Sequence, residues 1–293
     1  MTAVRHEVVV IGDALLDVSA RPMQPARPGA DVPAAITLAT GGQGANLAVR
    51  LARRGMRVRL VCGLGAGPAA SLVRDALDAE GVELAAAPVA ETGTVVIVID
   101  ERGERTMLSQ RSPFADGAAR AVPPDTGCIV VSGYLLLEPG AQQLASAVAA
   151  RSARRVLLGC AVPDEAAAGW VSAATAMRPD LLVLNQAEAD AVGGGARITT
   201  GVVTTSEQLV RATIGGATAE AHTPPGEPAI DTTGAGDAFA AALIAALSRA
   251  GWPPTKPALE AALREGIALA SAVARTPGAQ GLVAGERAAT LRA

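Results

Sequence analysis

A chain of 293 residues, half of them hydrophobic but only 2% aromatic, suits one large α/β domain or two smaller ones, with a core packed mainly by Ala, Val and Leu. A formal net charge of −3, without any basic run interleaved with aromatics, argues against a nucleic-acid partner. The longest apolar run, Ala240–Leu247, is too short to span a bilayer, and Glu7 and Asp13 interrupt the apolar stretch a signal peptide would need, so a cytoplasmic protein with no membrane partner is expected.

Val8–Ile11, ended by Gly12, reads as a first strand covered on both faces. Ser19–Thr40 carries Pro22, Pro25, Pro28 and Pro33 with weak alternation, which reads as irregular chain with edge strands outside the main sheet. A glycine turn then feeds a helix over 41–55, with Leu47 and Leu51 inward, Arg50, Arg53 and Arg54 outward, and Gly55 at its end. A strand over 56–62 and a helix over 68–81 follow, the helix opened by Pro68 and closed by Gly81. Residues 94–111 are two strand-like runs about a polar turn at Glu101–Glu104, a β-hairpin.

Next come a strand at 128–133, a helix near 139–153, a strand at 156–160, a helix near 164–177 and a strand at 181–185. This alternation is that of a parallel sheet with right-handed crossovers. A second hairpin at 211–223 turns at Gly215-Gly216, and two helices near 234–250 and 257–275 close the chain. The expected architecture is a single domain over 1–293, a three-layer α/β/α core with a mainly parallel central sheet. Segments of about 18–40 and 94–112 fall outside the alternation and are expected to form a small β lid over the ligand crevice. Cys62, Cys128 and Cys160 are far apart and odd in number, as befits buried free thiols rather than a disulfide or zinc framework.

Two glycine loops carry chemistry. In DTTGAGD (231–237), Gly234, Ala235 and Gly236 keep side-chain bulk away from the first turn of a helix, where unpaired N–H groups and the helix dipole attract a phosphate. Asp237 beside such a site repels the phosphate, so its presence needs a reason, and one is service as base for an attacking hydroxyl; taken alone, the loop reads first as an Asp satisfying the first helical turn and second as this chemistry. In GGQGAN (41–46), the backbone and the Asn46 amide suit a polyhydroxylated ligand, and Asp17 can accept from vicinal hydroxyls.

GGQGANLAVRLARRG and DTTGAGDAFAAAL, in this order and spacing, resemble the two signature segments of the ribokinase-like (PfkB) carbohydrate kinase family. The resemblance extends to GDALLD after the first strand, to the hairpin at the family's lid, and to Asn185-Gln-Ala-Glu188, similar to its N-x-x-E motif. It implies an ATP- and magnesium-dependent kinase acting on a hydroxymethyl group of a small sugar, or of a nucleoside. By the same resemblance Asp237 is the catalytic base and Gly234, Ala235 and Gly236 form the anion hole. Asp17, Gly41, Gly42, Gln43 and Asn46 bind the acceptor, while Asn185, Glu188, Thr205, Ser206 and Thr233 join Gly234 and Gly236 at the nucleotide. Glu188 acts on magnesium through water, and Asp231 lies near a potassium ion. Independently of the resemblance, the lid's exposed strand edges can pair with another subunit, which makes a homodimer an option.

Some family features are missing. Where T-x-G-x-x-G receives nucleotide phosphates, this chain has Thr204-Thr205-Ser206-Glu207-Gln208-Leu209, with Ser206 in place of the first glycine, so backbone approach is less free. Gln43 replaces the lysine of ribokinase. A degenerate, non-catalytic sugar or nucleoside binder is therefore the rival reading, with a dinucleotide-binding enzyme behind it. Tyr134 reads as an ordinary core aromatic or, second, as a pocket residue.

Overall fold

The computed structural model describes residues 6–281 apart from 26, 102–103, 122–123, 125, 225–228 and 277. The first half runs β1 (His6–Ile11), β2 (Leu15–Pro22), β3 (Ala34–Gly41), α1 (Gln43–Arg53), β4 (Val58–Leu64), α2 (Pro68–Ala79), β5 (Glu83–Pro88), β6 (Thr94–Ile99), β7 (Arg105–Gln110) and α3 (Ala115–Ala121). The second half runs β8 (Thr126–Val131), α4 (Ala141–Ala149), β9 (Arg154–Leu158), α5 (Ala167–Met177), β10 (Leu181–Asn185), α6 (Gln186–Ala191), β11 (Val202–Thr205), β12 (Leu209–Ile214), β13 (Ala217–His222), α7 (Ala235–Ala250) and α8 (Lys256–Ala274).

Nine strands form the large sheet in the order β13-β12-β11-β10-β9-β8-β1-β4-β5. It is parallel from β11 to β5, with β12 and β13 antiparallel at one edge. From β1 the chain builds outward through α1 to β4 and β5, then returns to β8 and builds the other way. Right-handed crossovers in opposite directions place their helices on opposite faces. Accordingly α1 packs with α7 and α7 with α8, whereas α3 and α5 pack against α4. The central strands are apolar on both faces, as a doubly covered sheet requires: Val8, Val9, Val10 and Ile11 are at most 1% exposed.

A second sheet has the order β3-β2-β6-β7. The two segments expected to leave the main sheet do pair here, β2 running parallel to β6 and antiparallel to β3. Within 19–40, expected as irregular chain with edge strands, the strands are longer than the pattern suggested: β2 begins already at Leu15, directly after GDA, and β2 and β3 are eight-residue strands in full register. The helix expected near 139–153 is shorter, Ala141–Ala149. The helix at 43–53 also corrects the placement of its arginines. Arg50 is 0% and Arg53 8% exposed, because the segment at 279–280 lies over them and accepts from both guanidinium groups.

Candidate active site

The strand order reverses between β1 and β8, and open α/β sheets bind ligands at the carboxyl ends of strands at such a point. Asp13 follows β1 there and Ser132 follows β8. The start of α1 sits directly on this spot. A Cβ on Gly44 would lie 2.6 Å from the Gly12 backbone, so only glycine lets the helix come this close. Gln43 is held by Ser132 Oγ, which donates to its Oε1 at 2.6 Å, and by its own Nε2, which donates to the Gly159 carbonyl at 2.8 Å.

Asp17 comes in from β2 of the small sheet, and a side chain at Gly41 would run into its carboxylate. Burial first, then the charge of Asp13, pushes Asp17 up to about 6, against the opposing pull of Arg111. Arg111, just past the end of β7, forms an ion pair with Asp13 and lies 4.3 Å above the centre of the Tyr134 ring. Tyr134 is half-buried and packs against the core, as its sequence context suggested, and its ring also serves as a platform under that arginine.

The mouth of α7 faces this group. Gly234 has φ +76° and its backbone rests on Ala279; a Cβ there would fall 2.9 Å from that alanine. A Cβ on Gly236 would meet nothing within 4 Å. Asp237 is the third residue of α7, where Asn46 Nδ2 donates to its Oδ2 at 2.9 Å and Gln280 Nε2 in turn donates to Asn46 Oδ1 at 3.0 Å. Burial raises Asp237 to about 7, although the Asn46 hydrogen bond works the other way. A cavity of about 150 Å³ brings Asp237, Gly234, Gly236, Gln43, Asn185, Glu188 and Thr205 together.

Asn185 and Glu188 are locked into one another as a capping box on α6. Asn185 Oδ1 accepts from the Glu188 N–H at 2.9 Å, and Glu188 Oε2 accepts from the Asn185 N–H at 2.8 Å. Burial raises the Glu188 carboxyl, with that N–H bond lowering it. Ser206 does not line the cavity; its hydroxyl and the backbone of Leu209 close the turn between β11 and β12. Thr233 and Asp231 stand outside the cavity and are both held by Arg105 at the start of β7, the Asp231 ion pair being 2.7 Å long.

Sequence reasoning missed Asp13, Arg111, Ser132, Arg105 and Gln280. Asp13 was legible, since it lies in the same GDALLD stretch as Asp17. The others carry no motif, and their partners are far away in sequence.

The donor set fits magnesium and a nucleotide. Among the described residues no cluster of three or more His, Cys, Asp or Glu could cage a metal. Magnesium needs no such cage, because it binds through one or two carboxylates plus phosphate oxygens and water. Glu188 and the bare helix mouth at Gly234–Gly236 supply those two elements.

A family model described as pfkB family carbohydrate kinase matches residues 5–284. The chain belongs to this family. Among curated proteins, the fructokinase of Salmonella typhimurium is 27% identical, with 88% of this chain and 89% of that protein covered. Among solved structures, a carbohydrate kinase from Agrobacterium tumefaciens is 24% identical with a TM-score of 0.75, over 93% of this chain and 92% of that one. The adenosine kinase of Sinorhizobium meliloti is 20% identical with a TM-score of 0.78, over 95% and 96%. The pfkB fold therefore accounts for both the nine-stranded sheet and the small sheet beside it, and the chain is an ATP-dependent carbohydrate kinase.

Proposed function

We propose that this carbohydrate kinase phosphorylates a hydroxymethyl group of a small sugar or nucleoside, with Asp237 as the base that takes the hydroxyl proton. The observation that carries this reading is the position of Asp237. It shares one cavity with the bare N-terminus of α7 and with Glu188. A carboxylate raised to about 7 is half-ionised near neutral pH and can accept a proton there. Magnesium-bound ATP, when present, supplies the phosphoryl group and neutralises charge. The amides at 234–236 hold the phosphate, Glu188 faces the metal's water, and Asp17 and Asp13 orient the acceptor's hydroxyls. Gln43 is fixed by Ser132 and by the Gly159 carbonyl, and it walls off the cavity.

The small sheet acts as the lid. Its outer face carries Val18, Leu38, Val96 and Leu108 side by side across four strands, with Leu38 56% and Leu108 62% exposed. Such a face suits a second copy of the chain, and a Leu38→Glu, Leu108→Glu variant sedimenting like wild type would refute the dimer. The setting is cytoplasmic, where ATP is available and Cys62, Cys128 and Cys160 stay as the buried free thiols found here.

The experiment is ATP consumption, with and without magnesium, over a panel of sugars and nucleosides. Magnesium-dependent turnover with at least one acceptor is expected. Tight acceptor binding with no turnover would replace the kinase by a sensor.

A further inference from the structure

The charges around the acceptor pocket are unequal, and this bears on what the acceptor is. Asp13 interacts electrostatically with Asp17, with Asp237, which lines the cavity, and with Glu138, which also feels Arg111. Among the described residues, the cation paired with these carboxylates is Arg111. It is already committed: Asp13 Oδ2 accepts from its Nη1, and the Tyr134 ring fixes its plane from below. An anionic substrate group would compete with Asp13 for this guanidinium and weaken an ion pair to a buried carboxylate, which is unfavourable. Among the described residues, the nearby arginines are engaged elsewhere or stand apart. Arg50 donates to the Ala279 carbonyl, and Arg105 is held by Asp231 and Thr233. Arg21 is four residues beyond Asp17 on β2, about 13 Å along the strand.

We infer that the acceptor is an uncharged polyol, an unphosphorylated sugar or nucleoside, and that the Asp13–Arg111 pair is the element that rejects phosphorylated and carboxylated analogues. The inference rests on the kinase reading and names its substrate class. A single uncompensated carboxylate about 6 Å from an anion disfavours that anion by a factor of about 100 at an effective dielectric near 20. The pocket holds more than one. Its existing charge is already costly, as the raised Asp17 carboxyl shows, with burial the first cause and Asp13 the second.

The test compares matched pairs with ATP and magnesium: fructose and its phosphomonoester, glucose and gluconate, adenosine and its monophosphate. For whichever pair is used, kcat/KM is expected to favour the uncharged member by about 100-fold or more. In Asp13→Asn the arginine is released, and the gap should narrow by about tenfold; in Arg111→Gln it should widen. Circular dichroism checks that each variant folds, and Arg111→Gln carries the variant arm if Asp13→Asn does not. A charged member used as well as its uncharged partner by the wild-type enzyme overturns the inference. So does a gap that neither variant moves. If no acceptor is turned over, the kinase reading fails by itself. Calorimetric binding of the same pairs then decides the charge inference, and failure of every uncharged member to bind overturns both.

Discussion

Asn46 donates through Nδ2 to Asp237 Oδ2 at 2.9 Å across 191 positions of sequence, joining the start of α1 to the start of α7. The other end of the same amide accepts from Gln280, so Asn46 cannot swing away without breaking two bonds. Its bond favours the ionised form of Asp237 and opposes the effect of burial. Asn46→Leu should therefore raise Asp237 further and move the rising limb of the kcat–pH profile upward by about one unit. Turnover at neutral pH falls about tenfold and recovers in alkaline buffer. A profile that keeps its midpoint while activity drops would show that Asn46 acts on the acceptor alone.

Asp237→Asn tests the base itself. Turnover should fall by on the order of 100-fold or more while acceptor binding, read by calorimetry, persists. Stability gives an independent reading. The carboxyl titrates near 3.8 when unperturbed and near 7 in the folded chain. Between those values the native state keeps a proton that the unfolded chain has released, so the stability of the wild-type protein falls as pH rises through this window and levels off above it. The Asn variant carries no such charge. Its Tm should exceed that of the wild type at pH 8 by roughly 3–8 °C, with the difference shrinking toward pH 4. Equal Tm values at both pH values would mean Asp237 is not the desolvated group described above.

The two glycines at the mouth of α7 should fail in different ways. Gly234 needs φ +76° and its missing Cβ faces Ala279, so Gly234→Ala strains the loop with or without nucleotide and lowers Tm. A methyl on Gly236 meets no protein atom within 4 Å and points into open space at the cavity. Gly236→Ala should leave Tm unchanged and raise KM for ATP about tenfold or more, by obstructing phosphate approach to the amides. Thermal melts and ATP titrations of the two variants separate these outcomes; a raised KM without loss of Tm in Gly234→Ala would reverse the assignment.

What could be read from the sequence was what is local. Val8–Ile11 and Leu181–Asn185 are short apolar blocks, and their alternation with helices announced the parallel sheet. β5 was invisible because ELAAAP holds three alanines and no β-branched residue. Arg50 and Arg53 were placed outward because charge on a helix defaults to solvent. They are buried because residues 279–280, over 220 positions away, close over them. Asp237 was legible through its glycine loop. The pairing of Asp13 with Arg111 was not, since the lid brings together residues 98 positions apart. Asn185 and Glu188 were legible only through the resemblance, as a ligand site; the geometry has them capping α6, and both line the cavity.

Arg105 ties the lid to the anion hole. It opens β7, and its guanidinium pairs with Asp231 at 2.7 Å and with the Thr233 hydroxyl in the turn leading to Gly234. The same Asp231 carboxylate accepts from the N–H groups of Thr233 at 2.8 Å and Gly278 at 2.9 Å. These bonds outweigh burial and hold its carboxyl below the ordinary value. A lid that closes through this contact shields the phosphate from water and at the same time steadies the loop that binds it. Arg105→Ala should raise KM for both substrates several-fold and increase ATP hydrolysis in the absence of acceptor, measured as phosphate release per sugar phosphate formed. Combined with Asp231→Asn it should be non-additive by about 1 kcal/mol. The arginine already supplies positive charge beside Asp231, so the wild-type rate should respond little when potassium replaces sodium at equal ionic strength. The Arg105→Ala enzyme should gain a potassium response. Unchanged KM values with phosphate release still fully coupled to transfer would show that the contact does not close the lid.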